Sequence, residues 1–278
     1  MITAAGFLGG ILVAGGLWVG LRGTFASDLF ARENHRGRSV PVGAGILIAL
    51  TALAAAAVDQ GLLGLGWDLE PDLLPVAHPL LAAVLGFGLL GLVDDLAETG
   101  QTKGFAGHLR ALRHGQLTTG GLKLLGGGAL ALAVVGAVDA DRPRQLLVDA
   151  LLVALAANLG NLLDRAPGRT TKVGLVVGGI LLLTHLDPAP VGLPVVLGAA
   201  AGLLAFDLRE RMMLGDAGAN VLGAAIGLAA VEVCSTGTRT VALAVVLALN
   251  AASEWVSFSS VIDRVRPLRA LDRLGRHG

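Results

Sequence analysis

Apolar runs separated by short charged clusters dominate this chain, and that alternation constrains its fold more than any other feature. A helix crossing a bilayer core needs about 20 predominantly apolar residues, with a range near 17–25. Runs approaching that length lie at Thr3–Leu21, Val42–Val58, His78–Val93, Thr119–Val138, Leu146–Leu163, Val173–Leu186, Val191–Phe206, Ala217–Val233 and Thr240–Val256. The third and sixth are notably short. The first continues to Arg22 with no small-residue cleavage site after a short apolar core, so it reads as a span and not as a removed signal peptide. Hydrophobic residues make up 54% of the 278 positions and charged residues 15%, where soluble globular proteins have about 45–50% and about 25%. The expected fold is all-α: a polytopic transmembrane helix bundle of about nine to ten spans, forming one integral membrane domain over residues 1–278.

The basic residues predict its sidedness. Taking alternate loops together, one side holds Arg22, Arg32, Arg36, Arg38, Lys103, Arg110, Arg113, Lys123, Arg165, Arg169, Lys172, Arg209, Arg211 and the tail arginines, 18 of the 21 Lys and Arg. The other side has Arg142, Arg144 and Arg239, with acids at Asp68, Glu70, Asp72, Asp139, Asp141 and Asp187. The positive-inside rule then puts the N-terminus outside, the tail in the cytoplasm and the protein in the cell membrane as a multi-pass chain. From Ile262 to Leu274 the chain alternates Arg with Leu and Val, predicting that residues 257–278 form a basic amphipathic tail on the anionic inner leaflet. Glycine pairs such as Gly6/Gly10, Gly16/Gly20, Gly174/Gly178 and Gly223/Gly227 predict close helix packing. The single cysteine, Cys234, excludes an internal disulfide, and a formal charge of zero leaves no basic footprint for nucleic acid.

Ionisable groups at span ends are the candidates for chemistry. Asp94-Asp95 closes the third run, although adjacent carboxylates repel and lie at the negative end of the helix dipole. Asn158, Asn161 and Asp164 end the fifth run at i, i+3, i+6, on one helix face. Asp216 opens the eighth within Met213-Leu-Gly-Asp-Ala-Gly-Ala-Asn220, and Gly37-Arg-Ser-Val-Pro-Val-Gly-Ala-Gly45 precedes the second. All four groups fall on the basic side, where carboxylates with substrate phosphates would suit Mg²⁺.

The runs Gly91-Leu-Val-Asp-Asp95, Asn158-Leu-Gly-Asn-Leu-Leu-Asp164 and Leu214-Gly-Asp-Ala-Gly218 resemble the signature segments of the polyprenyl-phosphate N-acetylhexosamine-1-phosphate transferases. That superfamily includes phospho-MurNAc-pentapeptide transferase and the UDP-GlcNAc:undecaprenyl-phosphate transferases. The loop Arg36-Gly-Arg-Ser-Val-Pro-Val-Gly43 is similar to the family's N-terminal Pro/Gly-rich loop, and Lys123 stands where a basic residue opens the fourth span. The resemblance implies catalytic roles for Asp94, Asp95 and Asp216, with Asp216 and Asp95 as Mg²⁺ ligands. It implies substrate contacts from Asn158, Asn161 and Asp164, joined by the cations Lys103, Lys123, Arg165, Arg169 and Arg38. The implied reaction moves a sugar-1-phosphate from a nucleotide-sugar donor, a UDP-sugar in the main family, to a polyprenyl phosphate at the cytoplasmic face. It releases a nucleoside monophosphate and serves cell-envelope glycan synthesis. A homodimer is expected by analogy alone.

The chain departs from the family pattern where a second Asp contacts uracil; here Asp164-Arg-Ala-Pro-Gly168 has Pro167 at that position. The His-rich motif of the last cytoplasmic loop is replaced by Ser257-Phe-Ser-Ser-Val-Ile-Asp263, and the Gln that follows the basic residue of the fourth span by Gly127. A shorter branch with a relaxed requirement for uracil is the expectation. The rival readings are a secondary transporter, which would show internal repeats and midplane acids, and a catalytically divergent scaffold of the same fold. A CDP-alcohol phosphotransferase would need several Asp residues in one helix motif, which this chain lacks.

Overall fold

The computed structural model describes residues 2–34, 36–67, 73–97, 119–138, 143–185 and 190–276. Each apolar run is helical. In order the helices are α1 (Ile2–Phe25), α2 (Ile46–Gly64), α3 (Pro79–Ala97), α4 (Thr119–Gly136), α5 (Pro143–Leu163), α6 (Arg169–Thr184), α7 (Leu193–Leu208), α8 (Asp216–Val233) and α9 (Thr236–Ser253), and two short ones follow, α10 (Phe258–Arg264) and α11 (Arg266–Arg273). An antiparallel hairpin of β1 (Ala31–Glu33) and β2 (Ser39–Pro41) joins α1 to α2. Six helices, α1, α2, α3, α5, α8 and α9, are long and apolar enough to cross a membrane. Among the described residues, six of the nine runs thus meet that length and hydropathy. Parts of α4 and α7 are shorter apolar helices, and the 16 residues of α6 reach about 24 Å at 1.5 Å per residue, less than the roughly 30 Å of a bilayer core.

Helix α8 is the axis of the bundle. It packs against α2, α3, α5, α6 and α7, and Val221, Leu222, Ala224, Ala225 and Leu228 along it are fully buried. The outward faces are apolar too: Leu12 of α1, Leu183 of α6 and Val241 of α9 are 74%, 76% and 65% exposed. A chain that leaves such side chains outside needs a hydrocarbon solvent around it.

Helices approach closely through glycine. A Cβ at Gly198 of α7 would run into the Phe7 carbonyl of α1, and one at Gly223 of α8 into the Ala156 carbonyl of α5. Gly6, Gly10, Gly174, Gly178 and Gly227 lie at helix contacts as expected, but Gly16 and Gly20 face open space. Their spacing suits close packing, but among the described residues nothing lies within 4 Å of a Cβ at either position.

The end of the bundle opposite the hairpin is joined by charge. Arg239 of α9 donates to Asp149 of α5 at 2.5 Å, and Gln145 donates to the same carboxylate at 2.7 Å. Asp149 is fully buried and Arg239 is 8% exposed. Asp149→Asn would leave the guanidinium buried with no counter-charge, which typically costs about 3–5 kcal/mol. A clear fall in the thermal midpoint of the detergent-purified protein is therefore expected, and Arg239→Leu with Asp149→Leu should recover much of it.

Candidate active site

The site begins with a carboxylate at the end of α3. Asp95 points into the start of α8, where its Oδ1 accepts the Asp216 N–H at 2.9 Å and its Oδ2 the Ala217 N–H at 3.0 Å. The first backbone N–H groups of a helix have no partner within it, and its N-terminal dipole favours an anion. A side chain 121 positions earlier supplies that cap. Gly215 makes the approach feasible: its φ is +69°, and a Cβ there would lie 2.6 Å from an Asp95 oxygen. Gly91, one turn back on α3, sits against the Asp216 backbone with no room for a side chain.

With α8 so fixed, the Asp216 carboxylate stands at the centre of a polar group. Lys123 of α4 forms a close ion pair with it and lies 3.6 Å from Asp94. Asn161 of α5 donates to the same Asp216 oxygen at 3.2 Å. These groups open on a cleft of about 480 Å³, lined by Asp94, Asp95, Asn161, Asp164, Arg165 and Asp216. The structure therefore brings together Asp94, Asp95, Asp216, Asn161, Asp164, Lys123 and Arg165 from the sequence-derived set.

Three others are placed elsewhere, and these are corrections. Asn158 does not share the cleft: its amide donates to Asn250 Oδ1 of α9 at 2.6 Å, one turn deeper than Asn161. The i, i+3, i+6 spacing drifts around a 3.6-residue helix, so its first member turns to the neighbouring helix. Arg169 is buried in an ion pair with Asp272 of the tail, at 2.8 Å, and donates to Ser259 Oγ at 2.9 Å. Arg38 lies against Glu210 at 3.6 Å and is not among the lining residues. Lys103 lies outside the described residues, as do His108, Arg110, Arg113 and His114. The tail is held against the bundle through Arg169.

The far wall was not anticipated. Arg32, Glu33 and Asn34 of the hairpin line the cleft, as do Asp207 in the last turn of α7 and Glu210 just beyond it. Glu210 has a φ of 53°, a strained value for a side-chain-bearing residue. Hydrogen bonds or ion pairs from Asn34 (3.0 Å), Arg36 (3.2 Å) and Arg38 (3.6 Å) hold it there and fasten the hairpin over the cleft. The only sequence signals were two acids, Asp207 and Glu210, within an otherwise basic loop.

The acids are chemically demanding. Burial, then the neighbouring carboxylates of Asp207, Asp216 and Asp95, hold Asp164 well above the ordinary carboxylate range, against a hydrogen bond from the Gly215 backbone. A raised carboxyl costs stability as pH climbs from its unfolded pKa, about 4, toward its folded value. Asp164→Asn should therefore raise the thermal midpoint at pH 8 and less so at pH 5. An equal change at both pH values would contradict this electrostatic picture.

The donor set is all oxygen, the chemistry of Mg²⁺ and not of zinc. Among the described residues no three metal-ligating side chains meet around one bare ion. Mg²⁺ characteristically uses only one or two carboxylates and completes its shell with water and substrate phosphates. Asp216 and Asp94 fit that mode: Lys123 already places a cation between them. Both Asp95 oxygens are engaged by backbone N–H groups, which suits a positioning role better than ligation.

Comparison with known proteins adds the family. No curated protein sequence matches the chain significantly. The family model described as glycosyl transferase family 4 matches residues 78–234, from the start of α3 to the end of α8, and so takes in the Asp pair, Lys123, the α5 face and Asp216. The chain belongs to glycosyl transferase family 4, the polyprenyl-phosphate sugar-1-phosphate transferases, and is a membrane-type transferase.

Proposed function

We propose that this protein transfers a sugar-1-phosphate from a nucleoside diphosphate sugar to a polyprenyl phosphate, with Mg²⁺, at the cytoplasmic membrane face. The observation that carries the reading is the meeting of Asp94, Asn161 and Asp216 in one cleft, with Lys123 paired to Asp94 and Asp216, from four helices in all. Attacking and leaving groups are both anionic phosphates, so the chemistry needs charge neutralisation and alignment more than proton transfer.

The division of labour follows from the contacts. Asp95 fixes the start of α8 and hence the Asp216 carboxylate. Lys123 spans Asp94 and Asp216 and offers positive charge to the phosphates. Asn161 orients Asp216, and Arg165 contributes a cation at the cleft wall. When bound through Asp216 and Asp94, Mg²⁺ would supply Lewis-acid neutralisation of the diphosphate. The lipid phosphate, with a second pKa near 6, is largely dianionic at neutral pH, so it attacks without a strong general base. Its oxygen bonds to the sugar-linked phosphorus, the bond between the two donor phosphates breaks, and the nucleoside monophosphate leaves with the electron pair.

Pro167, where the main family has a uracil-contacting carboxylate, and the side chains of Asp207 and Glu210 in the same cleft support a donor preference broader than UDP-sugars. The deciding experiment is a screen of nucleotide-sugars with polyprenyl phosphate and Mg²⁺, reading released nucleoside monophosphate. Turnover with at least one donor is expected. Asp216→Asn and Asp94→Asn should each lose at least about a hundredfold in kcat. No turnover with any donor, or undiminished turnover in Asp216→Asn, would overturn the reading; activity confined to UDP donors would remove only the broader preference.

A further inference from the structure

The C-terminal tail beyond α9 lies outside the family match, which ends at Cys234, and its attachment is unusual. Along α11, Leu268 and Leu271 face outward, as does Leu274 just after it, 43%, 64% and 66% exposed, while Asp272 is the buried residue of the helix. Apolar burial is therefore not what holds α11 to the bundle. A polar cluster does. Arg169 at the start of α6 donates to both Asp272 oxygens, at 2.8 and 3.1 Å, and to Ser259 of α10 at 2.9 Å. Lys172 donates to the carbonyls of Leu271, Asp272 and Leu274 at 3.2, 2.6 and 3.2 Å, a cation on the carbonyl end of α11.

The cluster reaches the cleft through Arg276. Its Nη2 donates to Asp272 at 2.6 Å, and its Nε donates to the Pro167 carbonyl at 2.9 Å. Arg165, Ala166 and Pro167 form one wall of the cleft. This wall is a short turn between α5 and α6, tied at Gly168 by its N–H to Asp207 Oδ2 at 2.9 Å. Arg276 supplies the tie at Pro167, and Asp272 holds Arg276. Burial alone would raise the Asp272 carboxyl, but the hydrogen bonds and charges of Arg169 and Arg276 hold it below the usual range. Asp272 is thus ionised at neutral pH.

We propose that Asp272 and Arg276 are positioning residues for the nucleotide-sugar cleft: the tail latches the 165–168 turn in the geometry that binds donor. This rests on the transferase reading of the cleft. Because the hydrogen bonds and ion pairs at Asp272 and Arg276 tie α11 to the turn, loss of one charge loosens it.

The test uses the full-length purified protein, wild type against Arg276→Ala and Asp272→Asn, the former keeping Arg169 paired if the latter folds poorly. Hydrogen exchange without substrate should accelerate in both variants at Gly168 and Arg169, whose N–H groups donate to Asp207 and to the Ala166 carbonyl. With the best donor of the screen, its KM should rise about tenfold while kcat stays within about twofold and the acceptor KM does not move, the pattern of lost ground-state positioning. Arg276→Lys, which can still donate to Pro167, should recover part of the KM. Unchanged exchange, or faster exchange with an unchanged donor KM, would overturn the latch. A wild type inactive with every donor would instead strike the proposed function, and the exchange result would still judge the latch.

Discussion

The capping of α8 by Asp95 is the interaction on which the rest of the site depends. A helix that starts at the polar end of a bundle exposes backbone N–H groups that water or a side chain must satisfy. Here a carboxylate from another helix satisfies two of them and in doing so joins α3 to α8. Asp216 is the first residue of α8, so the same two hydrogen bonds fix the acid at the centre of the cleft. Gly215 and Gly91 are the spatial conditions for that contact. Stability and chemistry share one joint.

Around that joint the structure concentrates negative charge and then offsets it. Asp94, Asp95, Asp164, Asp207, Glu210 and Asp216 all face one cleft. Such a set is tolerable only with cations among it, and Lys123, Arg165, Arg32 and the Arg36–Arg38 clamp on Glu210 are those cations. The arrangement suits a site whose substrates bring phosphates and a divalent ion together: carboxylates for the ion, cations for the phosphates. The bundle in turn places the cleft at the end of its apolar helices, and the proposed reaction needs such an end, where a lipid-linked phosphate meets a water-soluble nucleotide.

Much of this was legible in the sequence because local rules governed it. Charged residues marked many of the helix ends, and Asp94-Asp95 stood out as a pattern that helix stability alone would disfavour. What escaped was governed by contacts across the chain. The spacing of Asn158 and Asn161 predicts one face, but nothing local says that α9 draws Asn158 away. Arg169 reads as a cation beside the cleft until Asp272, 103 positions later, claims it. The hairpin wall and Glu210 escaped for the same reason, since their partners lie more than 170 positions apart. Among the described residues six apolar runs become helices long enough to cross a membrane and the others shorter ones, because hydropathy does not reveal where polar turns end a helix.

The most direct test of the central claim is the binding of Mn²⁺, a paramagnetic stand-in for Mg²⁺, to the purified protein followed by electron paramagnetic resonance. The account predicts weak binding by the protein alone, one tightly bound ion when a nucleoside diphosphate is added, and loss of that ion in Asp216→Asn. Tight Mn²⁺ binding that ignores both the diphosphate and the substitution would contradict it.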